Sequence, residues 1–188
     1  MSQYNAFHNA RHGTSFKLDD YTSYGLSQIW NINEFQIRDE ERMYFKSDFY
    51  KKVTLIDGAY DAVEHLSREY RLRVVTGRGV DAEEYLAGTL SQYFKKEHFS
   101  SVDHIGLGSS TGLISHKWEK CQEYGAPMLV DDYHMHLVLA AQHGIHGILI
   151  RAPWNIYIMD LPPLITRARN LSEAVDIIEK KKNLWCEK

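Results

Sequence analysis

Cysteine and long apolar runs are scarce in this sequence of 188 residues. Its two cysteines, Cys121 and Cys186, are too few for a secreted disulfide scaffold and have no metal-binding or redox spacing. No apolar run approaches the roughly 20 residues of a membrane-spanning helix. The N-terminus is polar and rich in histidine, unlike a signal peptide. We therefore expect a cytoplasmic protein with no membrane partner.

An excess of positive charge is also absent. The formal net charge is -3 at pH 7, so the chain has no basic footprint for nucleic acid, and we expect no such partner. Hydrophobic residues make up 44% and charged residues 25%, which is typical of a globular protein. This length suffices for one domain with a full core, or for a core and a small lobe.

Residues 1–57 and 58–188 differ in pattern. The first part is rich in aromatic residues and lacks alternating runs, which predicts a helical lobe. Its residues 2–12 resemble the end of a helix, with Gly13 as the C-terminal stop. The second part alternates amphipathic segments with short apolar runs, which predicts a parallel sheet covered by helices. The predicted strands are 72–76, 102–107, 128–130 and 145–150, and the predicted helices are 59–70, 81–95, 117–124, 135–143 and 171–182.

Two carboxylates, Asp131 and Asp132, directly follow the apolar run 127–130. Open α/β sheets bind ligands at the carboxyl ends of their strands, where this pair is expected to lie. N-terminal capping of the next helix explains the pair equally well. His134 and His136 follow, and an His-x-His pair can chelate a transition metal from a strand. Because these residues open a helix, hydrogen-bonded or solvated histidines are the better interpretation.

Thr76 and Gly77 end another apolar run, and Lys117 begins a predicted helix. A hydroxyl followed by glycine can present Oγ and backbone N–H groups to a phosphate oxygen, although a plain strand-to-helix turn is the commoner explanation. A lysine at a helix start opposes the helix dipole, and this small violation favours a functional role.

In this order, Thr76, Lys117 and the Asp131–Asp132 pair resemble motifs II, III and IV of the haloacid dehalogenase (HAD) superfamily of phosphohydrolases. Further segments resemble its cytosolic type C 5′(3′)-deoxyribonucleotidase-like branch, namely Phe7-His8-Asn9 with Gly13-Thr14, the run 19–24, Asp57-Gly58-Ala59 and Val75-Thr76-Gly77-Arg78. The resemblance implies an α/β, Rossmann-type parallel core over 58–188, preceded by a helical cap-like lobe over 1–57.

The resemblance also implies the role of each site residue. It implies that phosphate is bound by Thr76, Gly77, Arg78 and Lys117, and that Asp132, supported by Asp131, is a Mg²⁺ ligand. We expect weak Mg²⁺ binding, because such a site needs more than one or two carboxylates unless a substrate phosphate contributes.

One part of the family pattern, motif I, is missing from the chain as given. In the family this central strand ends in Asp-x-Asp and supplies the nucleophile and the general acid/base. The chain starts after the point where that strand should end. Asp57 is a poor substitute, because Ala59 stands two positions beyond it and a glycine turn explains the segment. Since covalent phosphoryl transfer needs an attacking carboxylate, we expect this chain to have no phosphatase activity.

Three functional hypotheses follow. The first is a catalytically silent HAD-like domain that holds a phosphate or nucleotide, or acts through protein contacts. The second is a Mg²⁺-dependent nucleotidase whose motif I is missing from this chain. The third is a structural or interaction module without a ligand.

The missing strand also predicts a feature of the architecture. By resemblance, motif I lies between the strands 72–76 and 128–130, and without it two strand edges lack backbone partners. Either these strands close up directly, or a homo-oligomer or protein partner supplies a strand. Oligomerisation is slightly favoured.

Overall fold

The computed structural model describes residues 1–106 and 116–182. They form two compact units, of which the first comprises Met1–Thr54 and Ala152–Tyr157. The second comprises the described residues of Leu55–Arg151 and Ile158–Lys188.

The first unit is helical, with no strand among its described residues. Its helices are α1 (Ser2–His12), α2 (Leu26–Trp30) and α3 (Glu34–Phe45), with short 3₁₀ turns at Leu18–Asp20, Tyr50–Lys52 and Pro153–Asn155. As predicted, α1 ends at Gly13, which takes the left-handed conformation with φ 66° and donates its N–H to Asn9 O. A reciprocal pair of side-chain caps between Asn33 and Gln36 begins α3.

Aromatic side chains form the centre of this unit, which explains why its sequence shows no alternation. Tyr4 packs edge-on against Trp30 and tilted against Tyr44. Tyr21 is fully buried; its hydroxyl donates to Asn5 Oδ1 at 2.6 Å and accepts from Trp30 Nε1 at 2.9 Å.

The second unit alternates helices and strands, as the sequence predicts. Its helices are α4 (Ala59–Leu66), α5 (Glu83–Tyr93), α6 (Lys117–Glu123), α7 (His134–Gln142) and α8 (Leu171–Lys180). Its strands are β1 (Arg73–Thr76), β2 (Ser101–His104), β3 (Met128–Asp131), β4 (His146–Ile150) and β5 (Ile165–Ala168). The loop 108–112 and the end of the predicted strand 102–107 lie outside the described residues.

The strands form two parallel sheets, which confirms the α/β prediction. One sheet has the order β1-β2, with Thr76 opposite His104. The other has the order β3-β4-β5, with Asp131 opposite Leu149. The sequence pattern did not predict β5.

The three-stranded sheet buries side chains on both faces. On one face, Leu129 and Leu149 pack with Leu137 of α7 and Cys121 of α6. On the other, Ile148 and Ala168 pack with side chains of α8 and with Leu66 of α4. Alternate residues of each strand therefore serve opposite faces, which fixes the register.

β1 and β3 are not hydrogen-bonded neighbours, so direct closure, the less favoured of the two alternatives, is not found. A cavity of about 580 Å³ is lined by both strands and by side chains of α4, α6 and α8, and we call it the interstrand cavity. α6 packs against β1 and against β3, and this shared helix sets the separation of the two strands.

Within the described ranges, no helix is long and apolar enough to cross a membrane.

Candidate functional site

The site is built around Asp131, the last residue of β3. Lys117 is the first residue of α6, and its Nζ lies 2.6 Å from Asp131 Oδ2. The side chains of Lys117 and Asp131 are 15% and 4% exposed, so solvent screens this ion pair little. A lysine at a helix start is disfavoured because its positive charge meets the positive end of the helix dipole. Here the negative charge of Asp131 offsets that repulsion.

Two further groups donate to Asp131. The backbone N–H of Tyr133 lies 2.9 Å from Oδ1, and Nδ1 of His136 lies 3.1 Å from Oδ2. Burial alone would raise the pKa of Asp131, but the hydrogen bond from His136 and the charge and hydrogen bond of Lys117 lower it to about 2. Asp131 is therefore ionised at neutral pH.

Asp132 has the opposite electrostatic environment. Burial, followed by the negative charge of Asp131, raises the pKa of the Asp132 carboxyl. Both oxygens of Asp131 accept from protein donors. The pair fits Mg²⁺ only with added oxygens from water or a phosphate, because Mg²⁺ prefers six oxygen ligands.

A second group of predicted site residues comprises Thr76, the last residue of β1, and the following Gly77 and Arg78. Thr76 Oγ1 accepts from the backbone N–H of Arg78 at 3.2 Å, and Thr76 O accepts from Ile105 N at 2.9 Å. Gly106 approaches this turn closely, since a Cβ on Gly106 would lie 2.2 Å from Gly77 O. The turn thus holds a hydroxyl and backbone amides at a strand end.

The two groups lie on strands that line the interstrand cavity. Val75 of β1 and Val130 of β3 both line it, and the next residues along these strands are Thr76 and Asp131, which are not among the lining residues. The two strands that carry the predicted site therefore share one cavity within the second unit. Lys117 belongs to the Asp131 group, because its Nζ contacts Asp131.

Other residues weighed from the sequence lie elsewhere or differ in role. Asp57 is exposed in the turn before α4, and its segment forms no strand. His136 is hydrogen-bonded, as expected, but its partner Asp131 was not foreseen, nor was the amide of Tyr133. One feature of the sequence could have predicted these contacts. Both donors lie within five residues of Asp131, and the start of the next helix can turn back toward the strand end.

No protein-family model matches this sequence, and no curated protein matches it significantly. Solved structures do match. A haloacid dehalogenase-like family hydrolase from Streptococcus pneumoniae matches with a TM-score of 0.62 and 17% identity over 94% of this chain and 89% of its own. A haloacid dehalogenase-like hydrolase from Xanthomonas campestris matches with a TM-score of 0.57 and 14% identity over 100% and 89%.

A third structure, described as a HAD hydrolase from Bacillus subtilis bound to magnesium, matches with a TM-score of 0.53 and 14% identity over 95% of this chain and 79% of its own. At these identities the likeness establishes the fold. The chain has the α/β fold of HAD-superfamily hydrolases, with Lys117 and Asp131 paired at a strand end of that fold.

Proposed function

We propose that this chain is a HAD-like domain that binds phosphate or a phosphorylated small molecule, such as a nucleotide, and does not hydrolyse it. The observation that carries the proposal is the 2.6 Å ion pair between Lys117 and Asp131, at the end of a strand that lines the same cavity as the strand ending in Thr76. A cation, and a hydroxyl with backbone amides, at strand ends are the groups that bind a phosphate.

Mg²⁺ should strengthen this binding. Lys117 is already partly neutralised by Asp131, and Asp132 adds a second carboxylate, so a phosphate alone meets negative charge in the site. A Mg²⁺ ion would offset that charge, and the phosphate would supply oxygens that the two carboxylates cannot. The magnesium described for the Bacillus subtilis structure supports testing this ion first.

The absence of turnover is proposed from the carboxylates. The sequence of this chain contains no Asp-x-Asp, the paired nucleophile and acid/base implied by the HAD resemblance. Asp131 accepts from three protein donors, and these bonds stabilise its charge and reduce its nucleophilicity. Positioning contacts alone do not replace an attacking group in covalent phosphoryl transfer.

Binding is tested by thermal unfolding of the full chain in phosphate, with and without MgCl₂. The unfolding midpoint should rise with phosphate, and further when Mg²⁺ is present. Thr76→Val removes the hydroxyl and should reduce this rise, as should Lys117→Met, whereas the exposed Thr54→Val is the matched control. The same rise in Thr76→Val and Lys117→Met as in the unmodified chain would contradict the proposed site.

Turnover is tested with nucleoside monophosphates and a generic phosphate ester in the presence of Mg²⁺. We expect no release of inorganic phosphate by the purified chain. Release that disappears in Asp132→Ala would instead show an active phosphatase and would favour the nucleotidase hypothesis.

We also propose that self-association or a protein partner covers the strand edges at the interstrand cavity. In the described part of the chain, β1 and β3 each have a backbone partner on one side, β2 and β4 respectively. Unpaired edges invite pairing with another chain, and homo-oligomerisation is the simplest source. Light scattering should then give a mass above the 21.9 kDa of one chain, and a monomer at all concentrations would contradict self-association.

A further inference from the structure

Two histidines and a glutamate converge in the helical unit. His8 and His12 are four residues apart on α1, so their side chains share one face of that helix. Glu40 of α3 reaches the same place, and one ligand atom from each residue lies within 4.8 Å of the others. His8 and Glu40 are only 3% and 5% exposed.

The contacts inside this cluster leave two buried atoms unsatisfied. Glu40 Oε1 bonds to His12 Nε2 and lies 3.2 Å from Arg11 Nε. Glu40 Oε2 lies 3.6 Å from His8 Nδ1, beyond hydrogen-bond distance, and within the described residues neither atom has a hydrogen-bond partner. Burying such atoms unpaired costs free energy, so a missing common partner is indicated.

We propose that His8, His12 and Glu40 bind a divalent transition-metal ion of the Zn²⁺ type. Two imidazoles and a carboxylate form a ligand set that Zn²⁺ takes in proteins, with a fourth position left for water. Tetrahedral bonds of about 2.0–2.1 Å place ligand atoms about 3.3 Å apart. The 3.6 Å between His8 Nδ1 and Glu40 Oε2 is close to that separation. Mg²⁺ and Ca²⁺ prefer oxygen ligands and do not suit this set.

Neighbouring residues prepare the cluster for such an ion. The indole of Trp30 stacks on the His8 ring at 3.8 Å between centroids, which fixes the plane of the imidazole. Arg11 opposes a cation, but its side chain is 43% exposed and can turn toward solvent. His12, 40% exposed, gives the ion access.

Thermal unfolding of the full chain in ZnCl₂ and absorption spectroscopy with Co²⁺ test this site. Zn²⁺ should raise the unfolding midpoint saturably, and Co²⁺ should give the visible absorption of a low-symmetry nitrogen and oxygen site. His12→Gln replaces an accessible ligand and should weaken the apparent affinity for either metal at least about tenfold. Glu40→Gln should do the same wherever the variant folds.

His134→Gln is the matched control, because His134 lies beside the Asp131 site in the other unit. It should bind Zn²⁺ and Co²⁺ like the unmodified chain. Three results would overturn the proposal: no saturable response to Zn²⁺, equal affinity in His12→Gln, or a loss of binding in His134→Gln alone.

Discussion

Replacing Lys117 with methionine should destabilise this protein far more than an average lysine substitution. Methionine fills similar space but removes the cation that lies 2.6 Å from buried Asp131. Breaking a buried ion pair by removing one partner costs about 3–5 kcal/mol, because the other charge stays buried. The donors of His136 and Tyr133 remain, so we expect the lower end, about 3 kcal/mol. The unfolding midpoint should fall by about 6–12 °C.

Lys120→Met provides the matched control on the same helix. Lys120 pairs at 2.7 Å with Glu123, whose side chain is 55% exposed, and solvent screens that pair. Its loss should cost less than about 1 kcal/mol.

A double variant removes both charges of this ion pair. In Lys117→Met/Asp131→Asn the buried charge is gone, so this protein should be more stable than Lys117→Met alone. Chemical denaturation of the four proteins of this cycle at pH 7 gives the comparison. A Lys117→Met loss no larger than that of Lys120→Met, or a double variant less stable than Lys117→Met, would refute the reasoning.

Four further substitutions test the site and other parts of the structure. The lowered pKa of Asp131 stabilises the fold above pH 3.8, and about 2–3 kcal/mol of the free energy of unfolding is lost as the pH falls through about 2. Asp131→Asn removes this titration, so its free energy of unfolding, measured by denaturation at several pH values, should no longer fall with pH for this reason. Gly106→Ala places a Cβ 2.2 Å from Gly77 O and should lower the midpoint and the phosphate-induced shift, whereas Gly88→Ala, which meets nothing within 4 Å on α5, should stabilise by about 0.5–1 kcal/mol. Asn170→Ala removes the side-chain cap of α8 and should cost about 1 kcal/mol in denaturant unfolding, and an unchanged midpoint would contradict that capping role.

Apolar patterning predicted most of the second unit because its buried strands and amphipathic helices have clear periods. β5 was missed because Pro162 and Pro163 precede it and Arg167 interrupts its short apolar run. That strand forms because β4 offers a backbone edge in register, from Gly147 opposite Ile165 onward. Such pairing depends on tertiary structure, which a local pattern does not contain.

The site was predictable only in part. The residue types Thr76, Lys117 and Asp131 point to phosphate chemistry through their order along the chain. The donation from His136 depends on how α7 begins, and the separation of β1 from β3 depends on α6 packing against both. The His8–His12–Glu40 cluster joins two helices, and His12 and Glu40 are 28 residues apart, so spacing along the sequence does not reveal it.

Phosphorus NMR of a nucleoside monophosphate mixed with the chain and Mg²⁺ tests the central claim most directly, because it reports binding and hydrolysis together. We expect the phosphate resonance to broaden with protein concentration and to sharpen again in Thr76→Val, with no growing signal of inorganic phosphate. An unbroadened resonance at every concentration would contradict binding at this site, and inorganic phosphate whose growth stops in Asp132→Ala would contradict the absence of hydrolysis.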